Sequence, residues 1–362
     1  MEYKKLSEVC DVRDGTHDSP KYVTEGYPLV TSKNIVDGKL DLSVINYLSQ
    51  EDYDKINERS KVDVGDIIMP MIGTIGNPYI VEDFTDFAIK NVALVKFPYD
   101  SINNRYVWYY LKSESFNRYV AEKNKGGTQK FLSLGDIRSL NIPVINKNEQ
   151  AEIVELLDKV SSIIDLRKDE LIKLDELIKA RFVELFVSKN YSREDLDSLS
   201  VGKGEYGAQS ASMEYDSSRP RYVRITDIND DGSLNEDYVC SSNIEDDETY
   251  KLTYGDFCFA RMGATVGKTY AYKSGNQIFA GYLIRYKLKL DKIIPEYLYE
   301  FTRLNEYWNW VLLNQSGAAQ PGINAKKYGS LMIPVAPLEE QHKFAKFVKQ
   351  VDKSKVVDIK AA

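Results

Sequence analysis

Two histidines, His17 and His342, and three cysteines, Cys10, Cys240 and Cys258, are all that the 362 residues offer of either type. A serine or cysteine activated by histidine, or a His and Cys cage around zinc, needs several such groups at defined spacings. Here the histidines stand near opposite ends and no CxxC pair exists. The cysteines therefore read as small buried thiols of a protein in a reducing cytoplasm. The segment RMGATVGKTY at 261–270 resembles a phosphate-binding loop, but only three residues separate Gly263 from Gly267 where that loop needs four. A turn between strands fits better, with Lys268 free to face a phosphate. Neither a Gly-rich cofactor loop with a Pro-Pro segment nor an acidic cluster with a following lysine is found. The expectation is a chain with no catalytic residues and no metal or cofactor of its own.

The remaining polar motifs suit recognition better than reaction. Lys123, Lys125, Lys130 and Arg138 surround Gly126, Gly127 and Gln129, with Asp136 as the one acid. A second stretch, from Ser316 to Lys327, carries Gly317, Gln320, Lys326 and Lys327 with no acid. Glycines let a backbone approach a phosphate, lysine neutralises it, and glutamine can bond an adenine edge. Lys33, Arg221, Arg224, Arg261 and Lys268 are further candidates for DNA contact. The net charge of −7 argues against coating nucleic acid indiscriminately, while leaving room for local basic footprints on an acidic body.

Positioning these loops requires a scaffold, and the sequence writes it twice. A shift of 191 residues aligns 106–150 with 297–341 without a gap, giving 11 identities in 45 positions, among them Tyr106/Tyr297, Gly126/Gly317, Gln129/Gln320 and Gln150/Gln341. Short β-rich runs such as GDIIMPMI and GDFCFARM, bounded by Gly, Asp and Asn, precede an aromatic helical stretch in each copy. Each copy reads as an α+β unit of about 145 residues. Between the copies, a segment without Gly or Pro places Leu157, Ile164, Leu171, Ile178 and Leu185 at heptad spacing, with Ile153, Val160, Arg167, Leu174 and Arg181 on the second seam position. This predicts a long helix, roughly 60 Å for about 40 residues. Its partner is predicted after the second copy, where Phe344, Val348 and Val351 stand where Ile153, Leu157 and Val160 stand in the first. The expected boundaries are 1–146 for the first domain, 147–188 for the helix, 189–336 for the second domain and 337–362 for a shortened second helix. Hydrophobic residues at 43% and charged residues at 28% are ordinary globular composition, and no run approaches a membrane span.

The openings KKLSEVCDVRDGTHDSP and LDSLSVGKGEYGAQSAS, the GTIGN and GATVGK turns, the GGTQ and SGAAQ loops, and the helix starts IPVINKNEQAEIVELLDKV and IPVAPLEEQHKFAKFVKQVDKSK together resemble the specificity subunits of type I DNA restriction-modification systems. The resemblance covers essentially the whole chain. It implies two tandem target-recognition domains joined by long antiparallel coiled-coil helices, each domain reading one half of a split site in double-stranded DNA. It also implies docking of two adenine-N6 methyltransferase subunits and of motor-nuclease subunits, to which S-adenosylmethionine, ATP and Mg belong. Two rival classes stay open on the residues alone: a stand-alone or antirestriction DNA-binding protein, and a protein-binding scaffold with no salt-dependent affinity for DNA.

Overall fold

A computed structural model describes residues 2–73, 75–124, 131–244, 248–317 and 320–360. The chain divides into two compact units, Met1–Leu166 and Arg167–Ala362.

In the first unit β1 (Glu2–Lys5) pairs antiparallel with β8 (Asn141–Val144), closing the start of the domain on its end. A four-stranded sheet runs in the order β2 (Asp11–Asp14), β7 (Val92–Lys96), β4 (Ile67–Pro70), β5 (Tyr79–Ile80). β4 and β7 are near-continuous apolar runs because the sheet is covered on both faces. Ile67, Met69, Ala93 and Val95 enter one core, while Ile68, Val92 and Leu94 enter the other. The first core lies under helices α1 (Asn104–Leu111) and α2 (Glu114–Lys123), whose N-caps Asn103 and Ser113 each accept a hydrogen bond from a backbone N–H in the first turn. The second contains the parallel pair β3 (Tyr27–Val30) and β6 (Ala88–Ile89).

The second unit repeats this plan. β9 (Arg193–Asp195) pairs with β16 (Met332–Pro334). A sheet runs in the order β10 (Glu205–Tyr206), β15 (Leu283–Lys287), β12 (Asp256–Ala260), β13 (Thr269–Ala271). β11 (Arg221–Val223) and β14 (Gln277–Phe279) form the parallel pair, and α5 (Pro295–Thr302) and α6 (Asn305–Asn314) cover one face. Several of the identities at the 191-residue shift acquire a physical reason here. The hydroxyls of Tyr106 and Tyr297 donate to the carbonyls of Pro143 and Pro334, at 3.1 and 2.8 Å. Gln150 and Gln341 are both fully buried. Gln150 accepts from Asn103 N at 2.8 Å and donates to Ile145 O at 2.8 Å, while Gln341 accepts from Ile294 N at 3.1 Å and donates to Ala336 O at 2.8 Å. Each glutamine clamps the start of a helix to the end of its domain.

Those helices are α4 (Lys147–Phe182), which continues as a π-helical turn over Val183–Val187, and α7 (Leu338–Lys360). The division between the units, after Leu166, falls within α4. In the second unit the two helices run antiparallel: Phe344 stacks edge-on against Phe182 and Phe186 at 5.4 and 5.3 Å, and Lys355 donates to Asp175 at 2.8 Å. Ile178, Phe344 and Val351 are buried, with Leu174, Leu185 and Val348 partly so. The expected seam needs correcting upstream. Ile153, Val160 and Ile164 are exposed, and Val154 is buried in their place. The side of α4 turned to the first unit is set by Gln150, Val154, Leu157, Asp158 and Ser161, spaced i, i+4, i+7, i+8, i+11. At 100° per residue, Ile153, Val160 and Ile164 fall about a quarter-turn away. Downstream, Phe182 and Phe186, which the heptad pattern passed over, fill the contact, because a straight helix drifts from a 3.5-residue repeat and a π turn shifts it further.

Candidate nucleic-acid interface

In the first unit, Lys125, Gly126, Gly127, Gln129 and Lys130 lie outside the described residues. Their neighbours are engaged internally. Lys123, in the last turn of α2, pairs with Asp136 at 3.0 Å and lies over the Tyr119 ring at 5.5 Å. The Asp136 hydrogen bond holds the Lys123 ammonium above the ordinary lysine range. Arg138 donates through Nε and Nη2 to the carbonyl of Val12 at 3.0 and 2.8 Å, tying helix α3 (Leu134–Ser139) to β2. The basic patch expected here is therefore smaller in the described residues than the charge count suggested.

In the second unit the counterpart loop is held by Gly317 and by its flanking residues. Gly317 has φ +105°, and a Cβ there would meet the carbonyl oxygen of Gln320 at 2.5 Å, so only glycine fits. Ser316 and Gly322 exchange backbone hydrogen bonds of 3.0 and 2.9 Å, which closes the loop and leaves Gln320 exposed. The loop rests on the GATVGK turn: Gly263 N donates to Pro321 O and Ile323 N to Arg261 O, both at 2.9 Å. The equivalent bond recurs in the first unit, where Leu132 N donates to Met71 O at 2.9 Å. Two motifs that the sequence presents separately thus form one surface.

That turn leads into strand β13, as expected for a turn between strands. Lys268 is not free to face a phosphate, because its ammonium pairs with Asp230 at 2.7 Å and donates to Ile228 O at 3.2 Å. Arg224 is likewise spent, on Asp227 at 2.8 Å and Tyr238 O at 3.1 Å, where it holds a 3₁₀ turn. Arg221 pairs with Glu236 at 2.8 Å. Lys327 donates to Asn314 O at 2.7 Å, whereas Lys326 and Lys33 are exposed. Arg261 lies over the rings of Tyr206 and Tyr282, at 5.0 and 5.7 Å, with Nε on Gly281 O at 3.2 Å.

Beside these stand residues that the sequence reading left unassigned. His17 bonds Asn91 Oδ1 at 2.8 Å and Asp14 Oδ2 at 2.9 Å, and the Asp14 contact raises its pKa above the ordinary histidine value. Lys90 donates to Ser19 at 3.0 Å. In the second unit Gln209 lies over Gly281, beside an open cleft of about 510 Å³ that also touches Tyr282. The signal that could have found them was the alignment of DGTHDSP with YGAQSAS. Cys10, Cys240 and Cys258 are buried and unpaired, and burial pushes the Cys10 thiol up to about 12. Among the described residues no group of three or more His, Cys, Asp or Glu is placed to hold a metal, and no helix is long and apolar enough to cross a membrane.

Residues 1–176 and 204–361 match the family model described as the type I restriction modification DNA specificity domain. The chain is 23% identical to the putative type I restriction enzyme MjaX specificity subunit of Methanocaldococcus jannaschii, over 97% of this chain and 86% of that protein. To the EcoKI specificity subunit of Escherichia coli K12 it is 22% identical, over 91% and 76%. Among solved structures, the S subunit of a type I restriction-modification system from M. genitalium superposes with a TM-score of 0.52 at 16% identity, covering 99% of this chain and 91% of that one. A chain from a structure addressing complex assembly and conformational transition of the type I system gives 0.58 at 18%, covering 99% and 92%. These structures share the fold.

Proposed function

This chain belongs to the type I restriction-modification DNA specificity family, and we propose that it reads a bipartite sequence in double-stranded DNA, one half with each of its two recognition domains. The observation that carries this reading is a framework repeated in both copies, with the paired tyrosines, clamping glutamines and loop-to-turn contacts at shifts of 190 or 191 residues, under surfaces that differ. A duplicated frame with unlike surfaces is what two readers of unequal half-sites require.

The chain itself supplies recognition and no chemistry. Methyl transfer to adenine N6 falls to two methyltransferase subunits that carry S-adenosylmethionine, and cleavage to motor-nuclease subunits that use ATP and Mg. The docking surface for the methyltransferases includes the exposed stripe Ile153, Leu156, Val160, Ile163 and Ile164 on α4. So much apolar area on one helix face marks an interaction site, and a stand-alone DNA-binding protein would leave it in water. The complex works in the cytoplasm, where its DNA is.

The test is to express the chain with and without the methyltransferase of its own system and to read methylated adenines across the host genome. A bipartite motif that appears only with both proteins is expected. A contiguous motif, or methylation independent of this chain, refutes the proposal.

A further inference from the structure

We propose that the segment after Gly15 in the first unit and after Gly207 in the second, with the turn that each crosses, holds the residues that discriminate bases: His17, Lys90 and Asn91 in one, Gln209, Arg261 and Tyr282 in the other. The inference rests on the DNA-reading function above and gives it residues.

The two sites share a backbone. Gly15 N donates to Val92 O at 3.0 Å, and Gly207 N to Leu283 O at 3.2 Å, partners related by the same 191-residue shift. The next residues, Thr16 and Ala208, form parallel bridges to Lys90 and Ala280. A Cβ on Gly15 would lie 2.3 Å from Ile89 O, and one on Gly207 the same distance from Ala280 O. Such an approach admits only glycine. Main chain against main chain fixes the crossing, so it holds in both copies although the side chains beside it differ.

They are in fact unlike. His17 is replaced by Gln209, the pair Lys90-Asn91 by Gly281-Tyr282, Asp14 by Tyr206 and Met71 by Arg261. His17 is 62% exposed and Tyr282 53% exposed. The buried tyrosines and glutamines that hold each domain to its helix, by contrast, are identical in the two copies. Divergence at His17/Gln209 and Asn91/Tyr282, beside a backbone crossing kept in both copies, separates specificity from folding.

The chemistry on each side differs accordingly. In the first unit Lys90 gives one ammonium hydrogen to Ser19 and keeps two that suit the O6 and N7 acceptors of guanine in the major groove, while His17, both ring nitrogens engaged by Asp14 and Asn91, holds Asn91 beside it. In the second, the Arg261 guanidinium lies over two tyrosine rings, and among the described residues its Nη1 and Nη2 have no hydrogen-bond partner. A pre-oriented fork of this kind bonds guanine in two places. Gln209, exposed beside the cleft, offers the donor and acceptor that match adenine N7 and N6.

The test uses the full chain assembled with its methyltransferase subunits and a library of DNA duplexes randomised across both half-sites, with bound duplexes sequenced. Gln209→Ala combined with Arg261→Ala is expected to lower base preference in one half-site by about 10-fold or more while leaving the other unchanged. His17→Ala with Lys90→Ala is expected to do the reverse. Gln209→Ala alone, at an exposed position, keeps the test sound if the double variant folds poorly. An unchanged preference overturns the inference, and so does an equal loss of affinity for all duplexes, which is what a structural role would give. A wild-type complex that selects no sequence at all would instead defeat the DNA-reading function.

Discussion

Replacing Gln341 by Ala tests whether the buried glutamines clamp helices to domains. Three hydrogen bonds disappear: from Ile294 N at 3.1 Å, to Ala336 O at 2.8 Å and to Lys292 O at 2.8 Å. Ile294 is 4% exposed and Ala336 2%, so water cannot replace the missing partner at either. A buried group left unbonded costs about 1–3 kcal/mol. With two such groups and a small cavity, the variant should lose about 3–5 kcal/mol. Gln150→Ala provides the internal control. Its partners Asn103 and Ser101 belong to exposed residues, and the Ser101 bond is long at 3.4 Å. Water can take over there, so the loss should be nearer 1–2 kcal/mol. Urea unfolding followed by tryptophan fluorescence separates the units, because Trp108 reports on the first, and Trp308 and Trp310 on the second. Each measurement uses a background in which the other unit's tryptophans are replaced by Phe. A loss below about 1 kcal/mol for Gln341→Ala, or equal losses for the two glutamines, would refute the clamp.

Glu300 is 4% exposed, its Oε2 lacks a hydrogen bond, and burial raises its pKa from 4.5 to about 7 against the opposing pull of Arg303. The folded state therefore holds an extra proton between these values, and the second unit should lose stability as pH rises through that window, by at most about 3 kcal/mol. Glu300→Gln should flatten the profile, and a wild-type Tm that does not fall between about pH 5 and 8 contradicts the assignment. Replacing Lys123, Lys125 and Lys130 by Ala should lower the salt slope of DNA binding by about 0.9 for each phosphate no longer neutralised. Arg138→Ala, whose guanidinium is spent on Val12 O, should instead cost about 1 kcal/mol of stability in the first unit and leave the slope alone; the opposite pattern would place Arg138 on DNA. Deleting Ser162–Lys168, a fully exposed heptad of α4, removes about 10 Å of helix. The methylated half-sites should then persist while the unspecified spacer changes by about three base pairs or binding fails, as sequencing of methylated sites will show; altered half-sites would speak against independent readers.

The sequence alone determined the duplication, the α+β character of each copy, the long helix between them and the glycine-bearing loops. These were legible because they depend on local periodicity and on spacings that a shared frame must keep. Gln150 and Gln341 stood out as identities before any role for them was visible. Tertiary structure decided which positive charges are spent and which side of α4 faces a domain. Arg138 and Arg224 look like DNA contacts in a string of letters, since a guanidinium bonded to Val12 O or Asp227 is written like a free one. Ile153 and Val160 keep a heptad seam in the sequence, yet Val154 is buried because the domain packs on a different side of the helix. The pairing of His17 with Asn91, and the stacking of Arg261 on Tyr206 and Tyr282, join residues 21 to 74 positions apart. Contacts at such separations are fixed by how strands pair and sheets fold over, and local pattern carries no record of them.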